Sequence, residues 1–447
     1  MKSSRILKYL FLASAPLMLV SCFAAKDYVR PQAEVVTADY FRTDKLEKDS
    51  LSIATVSWKE LFTDPVLQSY IEEGLNNNID IRSAIQQILI SEAYIRQGKS
   101  GYYPTLNATA QYTHSELSEN SQFGAQFDKL DVFQLSGGLS WEADIWGKIR
   151  SNQRASQATY LQSVAAHKAV KSRLVANIAS TYYQLLALDE QIRITEETVA
   201  TREKGLETTQ ALKEAGNVTE VGVKQTEAQL YSAQGLLIDL KNSARLLENT
   251  LSILLGSDSR TIIRGSLESQ TMNTTLTTGV PAQLLANRPD VMTAEYQLIN
   301  AFELTNVARS NFYPSLTLSA TVIGGLTQPI LNGRKIRTQY EVSRAQQEQA
   351  KLAFKFSVLN AGKEVSDALY SYNAAMEKIK VKEKEFNAYD LATGYSEELL
   401  DNGLANYLEV LRARENALNS NLDLVNTKNN QLQAVIDLYE ALGGGWQ

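Results

Sequence analysis

The chain has 447 residues, a formal net charge of −6, 21% charged residues and 8% aromatic residues, which is typical of a folded protein of more than one domain. A mildly acidic chain lacks the basic surface that binds phosphate backbones, so we expect no nucleic acid as a partner. The two histidines, His114 and His167, are far apart in the sequence and predict neither a metal site nor a catalytic triad.

The first residues have the pattern of a secretory signal. A basic start precedes an apolar run from Tyr9 to Val20, which is too short for a membrane-spanning helix. We therefore predict a signal peptide over residues 1–21, followed by an anchor and extended segment over residues 22–57.

Cys22 is the one cysteine of the chain, and it directly follows the predicted signal peptide. The string Leu19-Val20-Ser21-Cys22 resembles the bacterial lipoprotein signal, in which the cysteine is lipidated and becomes the N-terminus. The alternative is an ordinary signal peptide with a chance cysteine. Lipidation of Cys22 would anchor the protein to a membrane surface. In the lipoproteins that this string resembles, Phe23 in place of aspartate permits transfer to the outer membrane.

The sequence contains an internal repeat. A helical stretch begins at Asp80 and ends at Pro104, and a matching stretch runs from Asp290 to Pro314, about 210 residues later. Each aspartate is expected to cap its helix, and each proline to end the helix before an extended segment. In both repeats a hairpin, a very long helix, a glycine turn and a second long helix follow.

The segments between the hairpins have the pattern of a coiled coil. From Gly147 to Gly216 there is no proline and one internal glycine, Gly205, which allows a continuous helix about 100 Å long. Apolar residues recur at every seventh position, which predicts a coiled-coil seam. The members of this series are Ile178, Leu185, Ile192, Val199 and Leu206. The corresponding seam of the second repeat is interrupted by Glu415 and Asn429, which indicates a wetter helix face there.

The segment after Pro104 alternates between apolar and polar residues, and the alternation returns from Phe133 to Ile145. Each arm is about ten residues long and has aromatic residues near its ends, which is typical of strands in an outer-membrane barrel. A half-buried strand of a soluble sheet alternates in the same way, so the pattern alone leaves both possibilities open.

The second hairpin is about 24 residues shorter than the first, because only about 17 residues separate Pro314 from Asn332. The second hairpin is either very short or has lost its outer loop and part of each strand.

The two hairpins give four strands per chain. Four strands cannot close a barrel in lipid, so several chains would have to share one barrel. The predicted organisation is a first repeat over 58–260 (hairpin 103–146, long helices 147–255), a linker over 261–281, and a second repeat over 282–447 (hairpin 313–332, long helices 333–442).

Several motifs occur in the order in which one known family has them. They are Trp58-x-x-Leu61-Phe62-x-Asp64-Pro65-x-Leu67, Asn76-Asn77-Asn78, Tyr102-Tyr103-Pro104, Trp141-Glu142-Ala143-Asp144-Ile145-Trp146-Gly147, Phe312-Tyr313-Pro314, and Asn287-Arg288-Pro289-Asp290-Val291 with Ala294-Glu295. The last of these is the most specific. Together they resemble the TolC/NodT family of outer-membrane efflux lipoproteins, over nearly the whole mature chain.

The resemblance implies a mainly α-helical fold with a membrane β-barrel portion. Long coiled-coil helices of three copies would form an α-barrel that continues into a shared 12-stranded β-barrel. It implies a homotrimeric exit duct of a tripartite multidrug or small-molecule efflux pump, with no enzymatic activity, no cofactor and no metal. The partners would be a periplasmic adaptor protein, an inner-membrane pump of the resistance-nodulation-division class, and outer-membrane lipid. The protein would be lipid-anchored in the outer membrane of a Gram-negative bacterium and extend into the periplasm.

In this family the two helix-turn-helix tips face the periplasm and close the duct at rest. The resemblance implies that the tip residues contact the adaptor; they are Gly216, Asn217, Val218, Thr219, Glu220, Gly403, Leu404, Ala405, Asn406 and Tyr407. The same resemblance implies that the gate is formed by Leu408, Glu409 and Arg412. Arg412 stands where relatives often have aspartate. Because Glu409 and Arg412 are three residues apart on a predicted helix, we hypothesise an ion pair between them within one chain. A plain solvated pair on a helix surface is the alternative.

Two other functions remain open from the sequence. A periplasmic coiled-coil adaptor or spacer lipoprotein would explain the helices, but it predicts one helical hairpin and no membrane strands. An outer-membrane duct for protein secretion would share the fold, although such ducts usually lack a lipid anchor at a residue such as Cys22. An enzyme is not expected, because the sequence offers no nucleophile with a partner base and no metal-ligand spacing.

Overall fold

The computed structural model describes residues 25–31, 53–118, 120, 129–270, 284–319, 325–405 and 407–446. Within these ranges the chain is mostly helical, and a single four-stranded sheet accounts for the strands. The helices are α1 (Trp58–Leu61), α2 (Pro65–Asn77), α3 (Ile79–Ser100), α4 (Lys148–Glu214), α5 (Glu220–Leu254), α6 (Leu284–Asn287), α7 (Pro289–Ser310), α8 (Lys335–Asp401) and α9 (Tyr407–Ala441). The strands are β1 (Thr105–Glu116), β2 (Lys129–Ala143), β3 (Ser315–Ser319) and β4 (Gly325–Thr327).

The start of α3 differs from the sequence-based expectation. Asn78, and not Asp80, is the cap, because the Asn78 Oδ1 atom accepts hydrogen bonds from the backbone N–H groups of Asp80 at 2.9 Å and Ile81 at 3.2 Å. Asp80 lies in the first turn, as Asp290 does in α7, where a carboxylate favours the positive end of the helix dipole. The expectation that Asp80 caps the helix was therefore wrong, because the cap lies two residues earlier.

Both long helices of each repeat are joined by a turn that needs a glycine. Gly216 and Gly403 have φ of +80° and +73°, a backbone region that side-chain-bearing residues rarely adopt. In each turn the residue after the glycine donates its N–H to a carbonyl five residues back, Asn217 to Leu212 and Leu404 to Leu399. This is the Schellman arrangement, which ends a helix and satisfies its last carbonyls.

The sheet has the order β1-β2-β3-β4 and every neighbouring pair is antiparallel. β1 and β2 pair along almost their whole length, from Thr105–Ser140 to Glu116–Lys129. β2 and β3 pair only from Ser140–Ser319 to Ala143–Leu316, and β3 and β4 form a shorter ladder still. The second hairpin is therefore much shorter than the first.

The chain divides into two compact units, residues 1–32, 87–163 and 293–354, and residues 33–86, 164–292 and 355–447. Each unit draws segments from both sequence repeats, so neither repeat is one compact unit by itself. The predicted repeat boundaries describe how the sequence is organised, and they stay a prediction.

The core of the second unit is aromatic where α1 and α2 meet the long helices. Phe62 lies 6.5 Å from Tyr183 and 6.3 Å from Tyr439, measured between ring centroids, and all three rings are buried. The Tyr182 hydroxyl donates to the Asp64 carboxylate at 2.7 Å, which ties α4 to the cap of α2. The predicted seam of α4 also lies inward: Ile178 and its heptad partners are buried or half-buried.

Candidate functional site

The turn between α4 and α5 contains the first group of predicted tip residues. Gly216, Asn217 and Glu220 are exposed, and the Thr219 side chain caps α5 by accepting from the Gly222 N–H at 3.4 Å. Glu220 pairs with the Lys213 ammonium at 2.5 Å, and this hydrogen bond lowers the pKa of the Glu220 carboxyl. The acidic charge of the first turn is thus matched within the chain.

The turn between α8 and α9 contains the second group. Gly403 and Leu404 are exposed, Ala405 is half-buried, and Asn406 lies outside the described residues. Tyr407 is buried, and its hydroxyl lies 3.5 Å from the Gly205 carbonyl oxygen on α4. A Cβ at position 205 would come within 3.3 Å of this hydroxyl, so the glycine that interrupts α4 permits the close approach of α9.

The predicted gate residues lie in the first turns of α9. Leu408 is 38% exposed, and Glu409 and Arg412 are exposed. Among the ion pairs of the described residues there is none between Glu409 and Arg412, so the hypothesis of a pair within one chain was wrong. An exposed pair three residues apart contributes only a few tenths of a kcal/mol, about 0.2–0.5, which is too little to hold two long side chains together.

Arg202 is a buried cation near the tips that the sequence did not reveal. Its side chain is 5% exposed, and it donates to the Glu415 carboxylate at 2.5 Å and to the Gln229 carbonyl at 2.6 Å. One α4 side chain thereby joins α5 and α9. Glu415 interrupts the apolar seam of α9, and its ion pair with Arg202 explains the interruption.

The segment at residues 25–31 packs along α7. The Lys26 backbone N–H donates to the Asn306 side chain at 3.2 Å, and the Asn306 amide donates back to the Lys26 carbonyl at 2.9 Å. The Arg30 guanidinium binds both carboxylate oxygens of Glu295 at 2.5 Å each. We call residues 25–31 the N-terminal clamp.

The N-terminal clamp begins beside the strand-to-helix junction. A Cβ at Gly147, which has φ of +74°, would lie 3.0 Å from the Ala25 Cβ. Cys22 lies outside the described residues. In the sequence, Cys22 precedes Ala25 by three positions.

A buried carboxyl lies under the N-terminal clamp. The Glu303 side chain is 3% exposed and lies 3.7 Å from the Arg154 guanidinium, which also contacts Asp27 at 3.3 Å. Burial raises the pKa of Glu303, although the Asn306 amide and Arg154 favour its ionised form. This carboxyl therefore holds a proton to higher pH than an exposed glutamate does.

The β1–β2 hairpin carries an apolar band on one face. The cross-strand pairs on this face are Leu106–Leu139, Ala108–Gly137, Ala110–Leu135 and Tyr112–Phe133. Phe133 and Leu135 are more than four-fifths exposed. The next pair along the same face is His114–Asp131, whose side chains are 2.5 Å apart, so the apolar band ends there.

Aromatic side chains mark the other end of the hairpin. The Trp141 indole donates to the Tyr102 carbonyl at 2.9 Å, and the Trp146 ring stacks on Tyr313 with centroids 4.7 Å apart. The Trp146 indole also donates to the Pro314 carbonyl at 2.7 Å. An apolar band with aromatic rings at both ends has the pattern of a membrane-facing surface.

Two long helices of the second unit expose apolar stripes. The α5 stripe recurs at intervals of seven or eight residues and consists of Tyr231, Ile238, Leu246 and Ile253. The α8 stripe consists of Phe356, Leu359, Tyr370, Val381, Leu391 and Tyr395. These stripes are additional to the inward seams, so each helix has a second apolar face that stays exposed in the described part of the chain.

Two features of other membrane and metal proteins are absent from the described residues. No helix among them is both long enough and apolar enough to cross a membrane. The same residues contain no group of three or more His, Cys, Asp or Glu side chains that could hold a metal ion.

The chain is similar to proteins of known function. The family model of outer membrane efflux proteins matches residues 70–257 and 280–444. The solvent efflux pump outer membrane protein SrpC of Pseudomonas putida is 27% identical over 459 residues, which cover 97% of each chain. The cation efflux system protein CusC of Escherichia coli is 26% identical over 458 residues, which cover 96% of this chain and 97% of CusC.

Solved structures have the same fold. The outer-membrane channel OprN matches with a TM-score of 0.84 at 21% identity, over 95% of this chain and 100% of the OprN chain. The outer membrane channel CmeC of Campylobacter jejuni matches with a TM-score of 0.83 at 21% identity, over 95% of both chains.

Proposed function

The chain belongs to the outer membrane efflux protein family, and from this premise we propose that three copies form the exit duct of a tripartite efflux pump. The family is one of transport channels, as the resemblance of the sequence motifs implied, and its members act in the outer membrane. The duct is passive: it encloses a path, and a periplasmic adaptor and an inner-membrane pump of the resistance-nodulation-division class supply selection and energy.

The exposed apolar stripes of α5 and α8 are the observation that supports a trimer. Ile238 on α5 is 68% exposed and Val381 on α8 is 63% exposed, although both belong to regular series of apolar residues. Exposed apolar stripes of this length are typical of surfaces that bind another protein. A closed ring of copies, in which the α5 side of one copy meets the α8 side of the next, would cover both stripes.

The relatives that match the chain export different cargo, since one is named for solvents and another for cations. A duct that serves such different pumps does not choose its cargo. We therefore assign this chain to small-molecule efflux, without a specific substrate, and the other candidates, a spacer lipoprotein and a protein-secretion duct, become outcomes of the test below.

The lipid anchor fits the geometry of the junction. Cys22 would be lipidated and would lie within about 11 Å of Ala25, beside the junction where Trp146 stacks on Tyr313. Aromatic rings of this kind prefer the interface between lipid and water. The acyl chains and the lower edge of the apolar band would therefore enter the membrane at the same level.

The gate would form where the second turns of three copies meet. Glu409 and Arg412 are exposed and unpaired with each other inside the described part of one chain, so each is available to Arg412 or Glu409 of a neighbouring copy. Leu408 would add an apolar constriction next to them. The tip residues of both turns would contact the adaptor.

Electron microscopy of the detergent-extracted, full-length protein tests this proposal. We expect particles with three-fold symmetry and a helical tunnel, and Ile238→Glu should shift the protein to monomers in native mass spectrometry. Asp239→Asn, at the adjacent exposed position, is the matched control and should remain trimeric. Monomeric wild-type protein, or a solid bundle without a tunnel, would indicate a spacer lipoprotein instead.

Complementation separates the two kinds of duct. In a strain that lacks its own outer-membrane efflux protein, the chain expressed with its cognate adaptor and pump should restore resistance to small toxic compounds. Restoration of protein export without any change in resistance would favour the secretion duct.

A further inference from the structure

The four long helices of the second unit are joined by side-chain contacts in the order α5, α4, α9, α8. α5 binds α4, α4 binds α9, and α9 binds α8. The pairs that join them are Lys241–Glu196 at 2.6 Å, Gln191–Asn426 at 2.8 Å and Lys382–Asp423 at 3.1 Å. α5 and α8 are therefore the two ends of this series, and their outer faces are the ones that a second copy could contact.

The two glycine turns lie at the same level within one chain. Arg202 comes 14 positions before Gly216, and its partner Glu415 comes 12 positions after Gly403. The α4–α9 pair of the preceding paragraph gives 25 and 23 positions from the same two glycines. A difference of two residues corresponds to about 3 Å along a helix. Distance from the turn glycine is therefore a common measure of height for all four helices.

The outer faces of α5 and α8 have the same spacing. On each helix five exposed positions alternate three and four residues apart, which is the spacing of a coiled-coil seam. The α5 edge face consists of Ala228, Tyr231, Gly235, Ile238 and Asn242, and the α8 edge face consists of Glu377, Val381, Lys384, Ala388 and Leu391.

Gly235 is unusual on such a face, because glycine inside a helix costs about 1 kcal/mol relative to alanine. A Cβ at this position would meet no atom within 4 Å, so the described part of the chain does not require a glycine there. A glycine on an exposed seam leaves space for a side chain from outside the chain.

We propose that the α5 edge face of one copy packs antiparallel on the α8 edge face of the next copy, with residues equally distant from Gly216 and Gly403 opposite each other. The proposal rests on the proposed trimer. Ile238 comes 22 positions after Gly216, and Val381 comes 22 positions before Gly403. In this register all five members of each face have a counterpart on the other. The opposing pairs are Ala228–Leu391, Tyr231–Ala388, Gly235–Lys384, Ile238–Val381 and Asn242–Glu377.

The opposing residues are complementary in size. Tyr231 faces an alanine, and Leu391 faces an alanine. The long stem of Lys384 crosses the space above Gly235 and its ammonium reaches solvent. Alternation of large and small side chains across a seam lets the two faces interlock without a void or a clash.

The register is also the one that keeps the turns of neighbouring copies level. A shift by one heptad would place Tyr231 opposite Val381 or Tyr395, where two large side chains would compete for one space. It would also displace the turns of one copy by about 10 Å relative to the next. The proposed seam therefore brings the Leu408 side chains of three copies into one plane.

Cysteine cross-linking of the full-length protein in membranes tests the register. A chain with both Ile238→Cys and Val381→Cys should form covalent dimers and trimers with a short thiol-specific cross-linker. A chain with Ile238→Cys and Leu391→Cys is the matched control: its second cysteine lies 10 positions, or about 15 Å, out of register, and we expect at most about a tenth of the product. Variants with a single added cysteine measure any background from Cys22, the one natural cysteine.

The outcomes separate the register from the trimer itself. Equal or stronger cross-linking of the control pair would overturn the register. The same holds if neither pair cross-links while native mass spectrometry still gives a trimer, and in both cases the exit duct remains. Monomeric wild-type protein would overturn the proposed function together with this inference.

A size swap supplies an independent readout. Ala388→Trp places a large side chain against Tyr231 of the next copy, and we expect the fraction of trimer to fall at least about tenfold. Adding Tyr231→Ala should restore that fraction to within about twofold of wild type, because the two changes act on one contact. Ile238→Ala, seven positions further along the same face, is the matched control and should not restore it. Equal rescue by both, or no loss in Ala388→Trp, would contradict the proposed pairing.

Discussion

The two halves of the molecule agree in their helices and differ in their hairpins. α3 and α7 both have 22 residues, α4 and α8 both have 67, and α5 and α9 both have 35. The strands of the first hairpin have 12 and 15 residues, whereas those of the second have 5 and 3. The two repeats share few sequence motifs, yet their corresponding helices have identical lengths. Their corresponding strands do not.

The comparison shows which part of the fold depends on matched lengths. Residues of neighbouring coiled-coil helices interlock at every heptad, so removing residues from one helix shifts all later contacts. A strand loses only the ladder beyond its end, and another edge can replace that ladder. A shortened hairpin is therefore tolerated where a shortened helix is not.

Shortening one helical hairpin should have the largest effect. Deleting one heptad from each arm of the α4–α5 hairpin next to its turn would lower the first tip by about 10 Å relative to the second, at 1.5 Å per residue. We expect efflux activity to fall to that of a strain without the protein, measured as resistance to a toxic substrate. The matching deletion in both hairpins should restore trimer formation. A single-hairpin deletion with full activity would contradict the need for equal lengths.

Removing the buried cation that joins the two halves should have the next largest effect. Arg202→Met leaves Glu415 without its partner, and loss of one member of a buried pair costs about 3–5 kcal/mol; partial exposure of Glu415 places the expected loss at the lower end. The measurement is chemical unfolding followed by circular dichroism. Arg193→Met removes an exposed arginine from the same helix and should cost less than about 1 kcal/mol. Equal losses would show that Arg202 is not a special link.

The two turns differ in how their acidic charge is matched, and this difference predicts where the gate lies. Glu220 in the first turn is paired with Lys213, whereas Glu409 and Arg412 near the second turn are not paired with each other in the described chain. Arg412→Ala should therefore raise the resting conductance of reconstituted channels severalfold, because three Glu409 carboxylates would repel one another.

Lys213→Ala is the control for this gate prediction, since it removes a cation from the other turn. It should leave the resting conductance near the wild-type value. An unchanged conductance in Arg412→Ala, or an equal rise in both variants, would remove Arg412 from the gate.

The smallest expected effect concerns Glu303 beneath the N-terminal clamp. Burial raises the pKa of Glu303 above its value in the unfolded chain, so the folded protein binds more protons between those two pKa values. The free energy of unfolding should consequently fall as the pH rises from the ordinary carboxyl pKa through the raised one. Glu303→Gln should reduce this slope, with a change of about 1 kcal/mol, measured by thermal unfolding at several pH values.

A buried carboxyl of the second unit, Glu248, provides the contrast. Burial alone would raise the pKa of Glu248, but hydrogen bonds from Arg264 and Arg245 outweigh burial and lower it. Its contribution to stability is present at neutral pH and is lost as the pH falls through the lowered value. Glu248→Gln should therefore change the pH dependence of the free energy of unfolding only on the acid side. The changes in slope caused by Glu303→Gln and Glu248→Gln should have opposite signs, which checks both pKa directions.

The sequence was sufficient for features that depend on local order. Proline and glycine positions marked the ends of the helices, period-two alternation marked the first hairpin, and the distance from Pro314 to Asn332 required a short second hairpin. The resemblance to the efflux family is confirmed by the family match. These signals lie within one element or between neighbouring elements, where periodicity and turn chemistry act.

What the sequence missed depends on contacts between distant residues. Arg202 and Glu415 are 213 positions apart, and Arg30 and Glu295 are 265 apart, so no local pattern connects them. The capping of α3 by Asn78 was missed because three asparagines and an aspartate compete for one helix start. The absent pair between Glu409 and Arg412 shows the opposite error, since correct helical spacing does not by itself hold an exposed pair together.

The N-terminal clamp has a consequence for the way the protein enters the membrane. Only two residues separate Cys22 from Ala25, which lies against Gly147 at the base of the hairpin. A lipid on Cys22 would thus confine the hairpin to a thin shell of membrane, and a short tether of this kind corresponds to an effective concentration of about millimolar. Anchoring of the hairpin then becomes a step within one molecule, whereas closing a barrel that three copies share still requires those copies to meet in the membrane.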